Sequence, residues 1–185
     1  MAKKARKHSP RKKKSSRKKA PIKRHSPARR KQARRVPHVP AGYRSVTPYL
    51  AVRDAIAALA FYQRVFGADK LMEFKDGGRI AHAELKLGDA HIMLADENPA
   101  VGFHAPTAGS APPVSILVYV EDVDAAVERA VKAGARIERP VADQFYGDRI
   151  GVFIDPFGHR WQVATHVEDV TDAELERRMA ALQGI

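Results

Sequence analysis

The sequence predicts an α+β domain: two tandem βαβββ modules whose eight strands form a cupped mixed sheet, preceded by a disordered Lys/Arg-rich tail. Three observations predict it. The first is an internal echo. Val52-Arg53-Asp54-Ala55 and Val120-Glu121-Asp122-Val123 each open a helical stretch, 68 residues apart. Phe66-Gly67-Ala68 and Ala133-Gly134-Ala135 close those stretches at an offset of 67, and Ile80/Ile150 and Gly88/Gly158 recur at an offset of 70. A near-constant offset this long indicates a duplicated module, since solenoid repeats have periods of about 20–50 residues. The second is a charge partition. The first 42 residues hold 18 of the 33 Lys and Arg and no Asp or Glu, so residues 43–185 carry 15 basic against 21 acidic side chains, a net of −6. This is a basic tail joined to a mildly acidic domain. The third is the alternation of apolar and polar residues between glycine-rich turns, which is the signature of half-buried strands.

Residues 1–42 are Lys, Arg, Ser, Pro and Ala with few apolar side chains, so they cannot bury enough surface to offset their ordering entropy. His8-Ser9-Pro10-Arg11 is echoed by His25-Ser26-Pro27-Ala28, and Ser9-Pro10-Arg11-Lys12-Lys13 resembles the Ser-Pro-basic-basic units of linker-histone tails. Arg11, Lys12, Lys13, Lys14, Arg29 and Arg30 are the candidate nucleic-acid contacts. Such a strand releases counterions from a polyanion, and its affinity falls with salt. No aromatic residue interleaves with the charges, so base stacking is not on offer and binding would tolerate any sequence. The competing reading is a solubilising extension. The absence of cysteine excludes disulfides, thiolate metal sites and cysteine nucleophiles, and agrees with a cytoplasmic location. No apolar run approaches the roughly 18 residues of a membrane span, so no membrane partner is expected. The basic start lacks the apolar core of a secretory signal.

The domain, residues 43–170, divides into modules 43–96 and 113–167 around a Pro/Gly/Ala-rich linker, 97–112. In the first module Val46–Val52 reads as a strand and Asp54 as a helix cap. The helix has an apolar stripe of Ile56, Leu59, Ala60, Val65 and Phe66, and ends at Gly67. Strands follow at Lys70–Lys75, Ile80–Leu87 and Ala90–Ala95, the first two joined by the Asp76-Gly77-Gly78 turn. In the second module the strands are Val114–Val120, Arg136–Val141, Ile150–Ile154 and Arg160–Thr165, and the helix is Val123–Ala133. Thr171 and Glu174 form a capping box for a C-terminal helix within residues 171–185.

Each helix must cover one face of its sheet, so chemistry belongs on the uncovered faces, which can enclose a pocket between them. His82 and Glu84 sit at i and i+2 on that side. A carboxylate beside an imidazole orients and tunes it for proton transfer near neutral pH, which makes this pair the catalytic candidate; the alternative is a polar pair lining a cavity wall. Tyr49, Tyr119, Phe145 and Tyr146 are candidate aromatic walls of a ligand cavity. Arg149 can hold an anionic ligand bidentately, or pair with a carboxylate such as Asp155. Gln162 alternates with Trp161 and Val163, which are assigned to the core. His159 reads as a turn residue, His166 and Glu168 as surface, and His91 has no assigned face.

The segments Thr47-Pro48-Tyr49-Leu50, Ala60-Phe61-Tyr62, Phe66-Gly67-Ala68, His82-Ala83-Glu84-Leu85, Tyr119-Val120-Glu121-Asp122-Val123-Asp124, Tyr146-Gly147-Asp148-Arg149, Asp155-Pro156-Phe157-Gly158-His159-Arg160-Trp161 and Thr165-His166-Val167-Glu168-Asp169 together resemble the vicinal-oxygen-chelate superfamily of glyoxalases, bleomycin resistance proteins and dioxygenases, and most of all its PhnB-like branch. The resemblance covers about residues 43–170. It implies paired βαβββ modules and, in the enzymes, a divalent metal held by His, Glu or Gln from the first and fourth strands of each module. Those positions match Thr47, Ser115, Gln162 and either Ile92 or Met93, of which Gln162 alone is a donor of that kind. The resemblance therefore implies a small-molecule-binding protein without a metal cofactor. The alternative it leaves is a lyase, isomerase or dioxygenase, using either a divalent ion on His82, Glu84 and Gln162 or metal-free chemistry on His82. It also implies a homodimer, because members commonly complete their cavities between subunits.

Overall fold

The computed structural model describes residues 36–182 and 184. The tail contacts expected at Arg11, Lys12, Lys13, Lys14, Arg29 and Arg30 lie outside the described residues. Pro37–Ile185 forms a compact unit. Its first module runs β1 (Tyr49–Val52), α1 (Ala55–Phe66), β2 (Asp69–Asp76), β3 (Arg79–Leu87) and β4 (Ala90–Asp96). A 3-10 turn at Pro99–Val101 lies in the connector. The second module repeats the order with β5 (Ser115–Tyr119), α2 (Val123–Lys132), β6 (Arg136–Asp143), β7 (Asp148–Ile154) and β8 (Arg160–His166), and α3 (Asp172–Leu182) follows. The eight strands divide into two four-stranded mixed sheets, ordered β1-β4-β3-β2 and β5-β8-β7-β6. In each, the first strand of the module pairs parallel to the last and the other pairings are antiparallel. The duplication is thus complete down to strand order.

Local chemistry sets the element ends. Asp54 and Asp122 cap the two module helices, accepting from the backbone N–H of Ala57 and Ala125 at 2.9 Å each. Gly67 ends α1 in the left-handed conformation, with φ 67°. The first strand starts at Tyr49 rather than Val46, because Pro48 has no N–H to contribute to a ladder; its carbonyl accepts from Met93 instead. The buried residues of α1 are Ala55, Ala58, Leu59, Phe61, Tyr62 and Val65, whereas Ile56 and Ala60, expected on its apolar stripe, are exposed. On β3 a bulge at Ala81 interrupts the alternation: Phe74 pairs with His82, but Lys75 pairs with Ile80. Ile80 and Ala83 are buried on the helix side, while Ala81 is exposed. Thr171 caps α3 weakly, at 3.4 Å from the N–H of Glu174, and the Glu174 carboxylate turns to Arg177 and Arg178 instead of closing the capping box.

The two modules share one core. It draws Leu85 and Leu94 from the first sheet, Phe153, Trp161 and Val163 from the second, and buried residues of both helices. Helix α1 also reaches the second sheet directly. Tyr62 and Phe66 lie 5.3 and 4.7 Å from the Trp161 ring, and Phe66 stacks on Phe153 at 6.4 Å. The Arg129 guanidinium of α2 donates to the Val65 carbonyl of α1. Because both sheets turn their helix sides into this common core, their uncovered faces look away from it. A hollow closed by the two uncovered faces, as expected from the sequence, therefore does not form within one chain.

Asp155 pins the modules together. One carboxylate oxygen accepts from the Tyr62 hydroxyl at 2.7 Å and the Trp161 indole N–H at 2.9 Å. The other accepts from the backbone N–H groups of Phe157 and His159. Substituting Tyr62→Phe keeps the ring and leaves this buried carboxylate one donor short. The expected loss is about 1–3 kcal/mol of unfolding free energy, measured by urea denaturation; an unchanged midpoint would exclude the bond as a stabilising link.

Candidate functional site

Three places gather polar or aromatic side chains. The first is the uncovered face of the first sheet, where Tyr49, Met93, Glu84 and Met72 form one cross-strand row. His82 connects that row: its Nδ1 lies 3.0 Å from the Tyr49 hydroxyl and its Nε2 lies 3.1 Å from Glu84. A segment from before β1 folds over the far end of the row. There the Tyr43 hydroxyl donates to Glu84, and the Tyr43 ring stacks on His91 at 4.4 Å. Arg44 pairs with Asp89. Gly42, at φ 87°, makes the close approach; a Cβ there would sit 3.3 Å from the His91 ring. His91 thus lies on the uncovered face, buried beneath Tyr43, with its Nδ1 unpartnered. The Tyr43 hydrogen bond, then that of His82, holds the Glu84 carboxyl below its ordinary value.

The second place is the uncovered face of the second sheet. Buried Asp148 accepts from the Tyr119 hydroxyl at 2.8 Å and pairs with His166 Nδ1 at 2.7 Å. His166 Nε2 lies 3.0 Å from the exposed Asp169. Asp148 first, and Asp169 after it, raise the His166 pKa. The expected surface residue His166 therefore belongs to a hydrogen-bonded chain.

The third place is a hollow of about 770 Å³ between the unpaired edges of β1 and β5, closed by the connector. Its walls are largely apolar: Tyr49, Phe103, Val46, Val114 and Ile116, with His104 and His159 among them. Phe103 packs on Tyr49 at 5.1 Å. His159 Nε2 lies 3.1 Å from the Ala51 carbonyl, on the free edge of β1. Ser115 and Arg160 pair across β5 and β8 at its floor. The Ser115 hydroxyl is buried with no partner. Arg160 Nε lies 2.7 Å from Glu138, an ion pair whose angle makes no hydrogen bond.

These places do not merge the expected site residues. His82 and Glu84 come together with Tyr49, and Tyr49 also reaches the hollow. Tyr119 lies on the other sheet. Phe145 and Tyr146 pair edge to face in the β6–β7 turn, and Phe145 offers its carbonyl to Arg178. Arg149 is a correction. It points to the helix side, where Asp124 binds it bidentately at 2.7 and 2.8 Å and Asp143 at 2.9 Å, so it is neither open to an anion nor paired with Asp155. Gln162 stands between Leu117 and Val152 on the second uncovered face, away from His82 and Glu84 on the first, so one chain does not assemble the alternative ligand set. Phe103 and His104 escaped sequence reading because the connector has no periodicity. The bridge from Asn98 to Phe103 and the bond from the Ala105 N–H to Glu97 fold it inward.

The register settles which residue stands at the fourth-strand position of the first module. Ile92 is in the core and Met93 on the uncovered face, so the four matched positions are Thr47, which falls just before β1, Met93, Ser115 and Gln162. Two neutral hydroxyls, a thioether and an amide are a poor set for a divalent ion. Among the described residues, no three His, Cys, Asp or Glu side chains come close enough to share one. These residues do not fit a conventional metal centre.

Residues 37–163 match the family model described as the Glyoxalase/Bleomycin resistance protein/Dioxygenase superfamily, and the chain belongs to that superfamily. It is 36% identical over 141 residues to the uncharacterized protein Rv0887c of Mycobacterium tuberculosis, covering 74% of this chain and 83% of that one. Among solved structures it is similar to TioX from Micromonospora sp. ML1, with 31% identity, TM-score 0.53, and coverage of 66% of this chain and 98% of that chain. The Arabidopsis thaliana product At5g48480 superposes with the same TM-score of 0.53 at 25% identity, over 66% of this chain and 98% of its own.

Two pH effects follow from the clusters. Glu84 is held low, so its contribution to stability is present above the ordinary carboxylate range and is lost as pH falls through its lowered value. Tyr43→Phe should destabilise at pH 7 and progressively less in acid, in urea titrations at a series of pH values; a pH-independent difference would refute the Tyr43–Glu84 link. His166 is held high, so its contribution is full below its ordinary value and is lost as pH rises through the raised one. An NMR titration should show His166 above 6.5 and lower it in Asp148→Asn; an identical midpoint in the variant would exclude Asp148 as the cause.

Proposed function

We propose that this chain is a small-molecule-binding protein of the glyoxalase/bleomycin-resistance type, of the PhnB-like branch, and that it works without the divalent-metal ligand set of the superfamily's enzymes. The observation that carries the reading is the apolar hollow of about 770 Å³ between β1 and β5, walled by residues of both modules and the connector. Its size and its few convergent polar groups are those of a small-molecule site. The poor donors at Thr47, Met93, Ser115 and Gln162 support binding over metal chemistry. A cytoplasmic homodimer accords with this. Met72 and Phe74 on one uncovered face and Leu117 and Tyr119 on the other are exposed apolar groups that a second copy can cover.

One observation favours a second reading, His-based acid–base chemistry. The Tyr49–His82–Glu84 chain orients an imidazole between a carboxylate and a phenol, beside the hollow.

The test of the binding reading uses the neutral fluorophore N-phenyl-1-naphthylamine. Wild-type protein should bind one equivalent with enhanced emission. Val114→Trp adds bulk at an exposed wall residue and should weaken binding by roughly tenfold or more, about 1.4 kcal/mol, without lowering the urea midpoint. Equal affinity in both proteins would sink the assignment of the hollow. Elemental analysis of purified protein bears on the metal: one tightly held divalent ion per chain would overturn the metal-free reading.

A further inference from the structure

We propose that the ligand of this hollow is an amphipathic anion, whose apolar body fills the hollow and whose carboxylate or similar oxyanion head sits in an adjoining cleft between Arg53 and Arg136. The proposal rests on the hollow being the ligand site and adds the chemical class of what it takes.

The cleft has a volume of about 420 Å³ and lies between the connector, the Asp155–Gly158 turn and the start of β6. Pro106 and Pro112 line both the cleft and the hollow, which places the two spaces side by side. The two spaces differ in character. The hollow is apolar, whereas the cleft presents the guanidinium groups of Arg53 and Arg136 and the hydroxyls of Thr107 and Ser110.

Arg53, Arg136, Glu138 and Asp155 line the cleft, so its cations and anions are equal in number, and what sets it apart is which of these groups are already bonded. Arg136 has no carboxylate partner among the described residues, and the nearest carboxylate to Arg53 is Glu97 at 3.7 Å. The two acidic side chains that line the cleft are already engaged. Glu138 faces Arg160 at 2.7 Å, and Asp155 accepts four hydrogen bonds from within the protein. Arg136 is therefore unpaired among the described residues and Arg53 only loosely paired, which leaves guanidinium donors for an incoming anion in a domain whose overall charge is negative. Guanidinium presents paired donors that match a carboxylate or phosphate edge, and such charge-assisted bonds are stronger than neutral ones. A cation would meet the same groups as repulsion.

The experiment displaces N-phenyl-1-naphthylamine from full-length protein with three ten-carbon chains that differ only in the head: decanoate, decanol and decyltrimethylammonium, each far below micelle-forming concentrations. Decanoate should displace the reporter at roughly tenfold lower concentration than decanol, with the ammonium weakest. In the double variant Arg53→Ala/Arg136→Ala, decanoate should fall to the level of decanol while the reporter's own affinity holds. The basic tail is the same in both proteins, so it cannot produce that difference. If decanoate is no better than decanol, or keeps its advantage in the double variant, the anion assignment is overturned while the hollow remains a binding site. If the reporter does not bind at all, the hollow itself is wrongly assigned and this inference falls with it.

Discussion

The arrangement of the molecule depends on a buried carboxylate that has no cation beside it. Asp155 is 4% exposed, and removing a charge that far from water is costly unless donors replace the lost hydration. Four do, and each fixes a different part of the fold. Tyr62 brings α1 of the first module, and Trp161 brings the core strand β8 of the second. The Phe157 and His159 amides wind the intervening turn tightly enough to aim the His159 ring at the β1 edge. The core contact between modules and the wall of the hollow thus trace to the same two oxygens. An unpaired β-edge invites association, and here His159 covers part of that edge.

The parts of this architecture written in short-range patterns were legible. The Asp54 cap and the strand alternation each involve residues within one turn or one ladder, and the repeat offsets compare such local patterns at two places in the chain. The misplacements also have local causes: Pro48 delays β1, and the extra residue Ala81 shifts one side of β3. What periodicity does not contain is which covered face meets which. The stacking of both helix sides into one core is decided by Tyr62, Phe66, Phe153 and Trp161 meeting across some 90 residues of chain. The same limit applies to Tyr43, which reaches Glu84 from 41 positions away, and to Arg149, whose partners lie on another helix and another strand.

Placing the helices between the sheets separates what the duplication would otherwise unite. Each uncovered face carries its own tyrosine–histidine–carboxylate chain, yet the chains are not copies. In the first module His82 and Glu84 both stand on β3; in the second Asp148 comes from β7 and His166 from β8. The repeat preserved the frame, strand order and caps, while the polar groups on the frame diverged. That is the behaviour expected when packing constrains the covered faces and leaves the uncovered ones open to change.

Net charge is a poor guide to what such a frame attracts, and the arginines show why. Arg149 and Arg178 are each held by two carboxylates and Arg160 by one, so they add nothing to the field a ligand meets. The domain's net of −6 is an average over a surface where most charges are exposed and screened beyond about 10 Å at ordinary salt. What a ligand meets in the cleft is set by local bonding: the Arg136 guanidinium and the loosely paired Arg53, beside carboxylates, Glu138 and Asp155, whose oxygens already face other partners. The bonding of Asp155 therefore acts twice. It fixes the turn that walls the cleft, and it occupies the acceptor oxygens of the buried acid, leaving the donors of the nearby arginines unbonded by it.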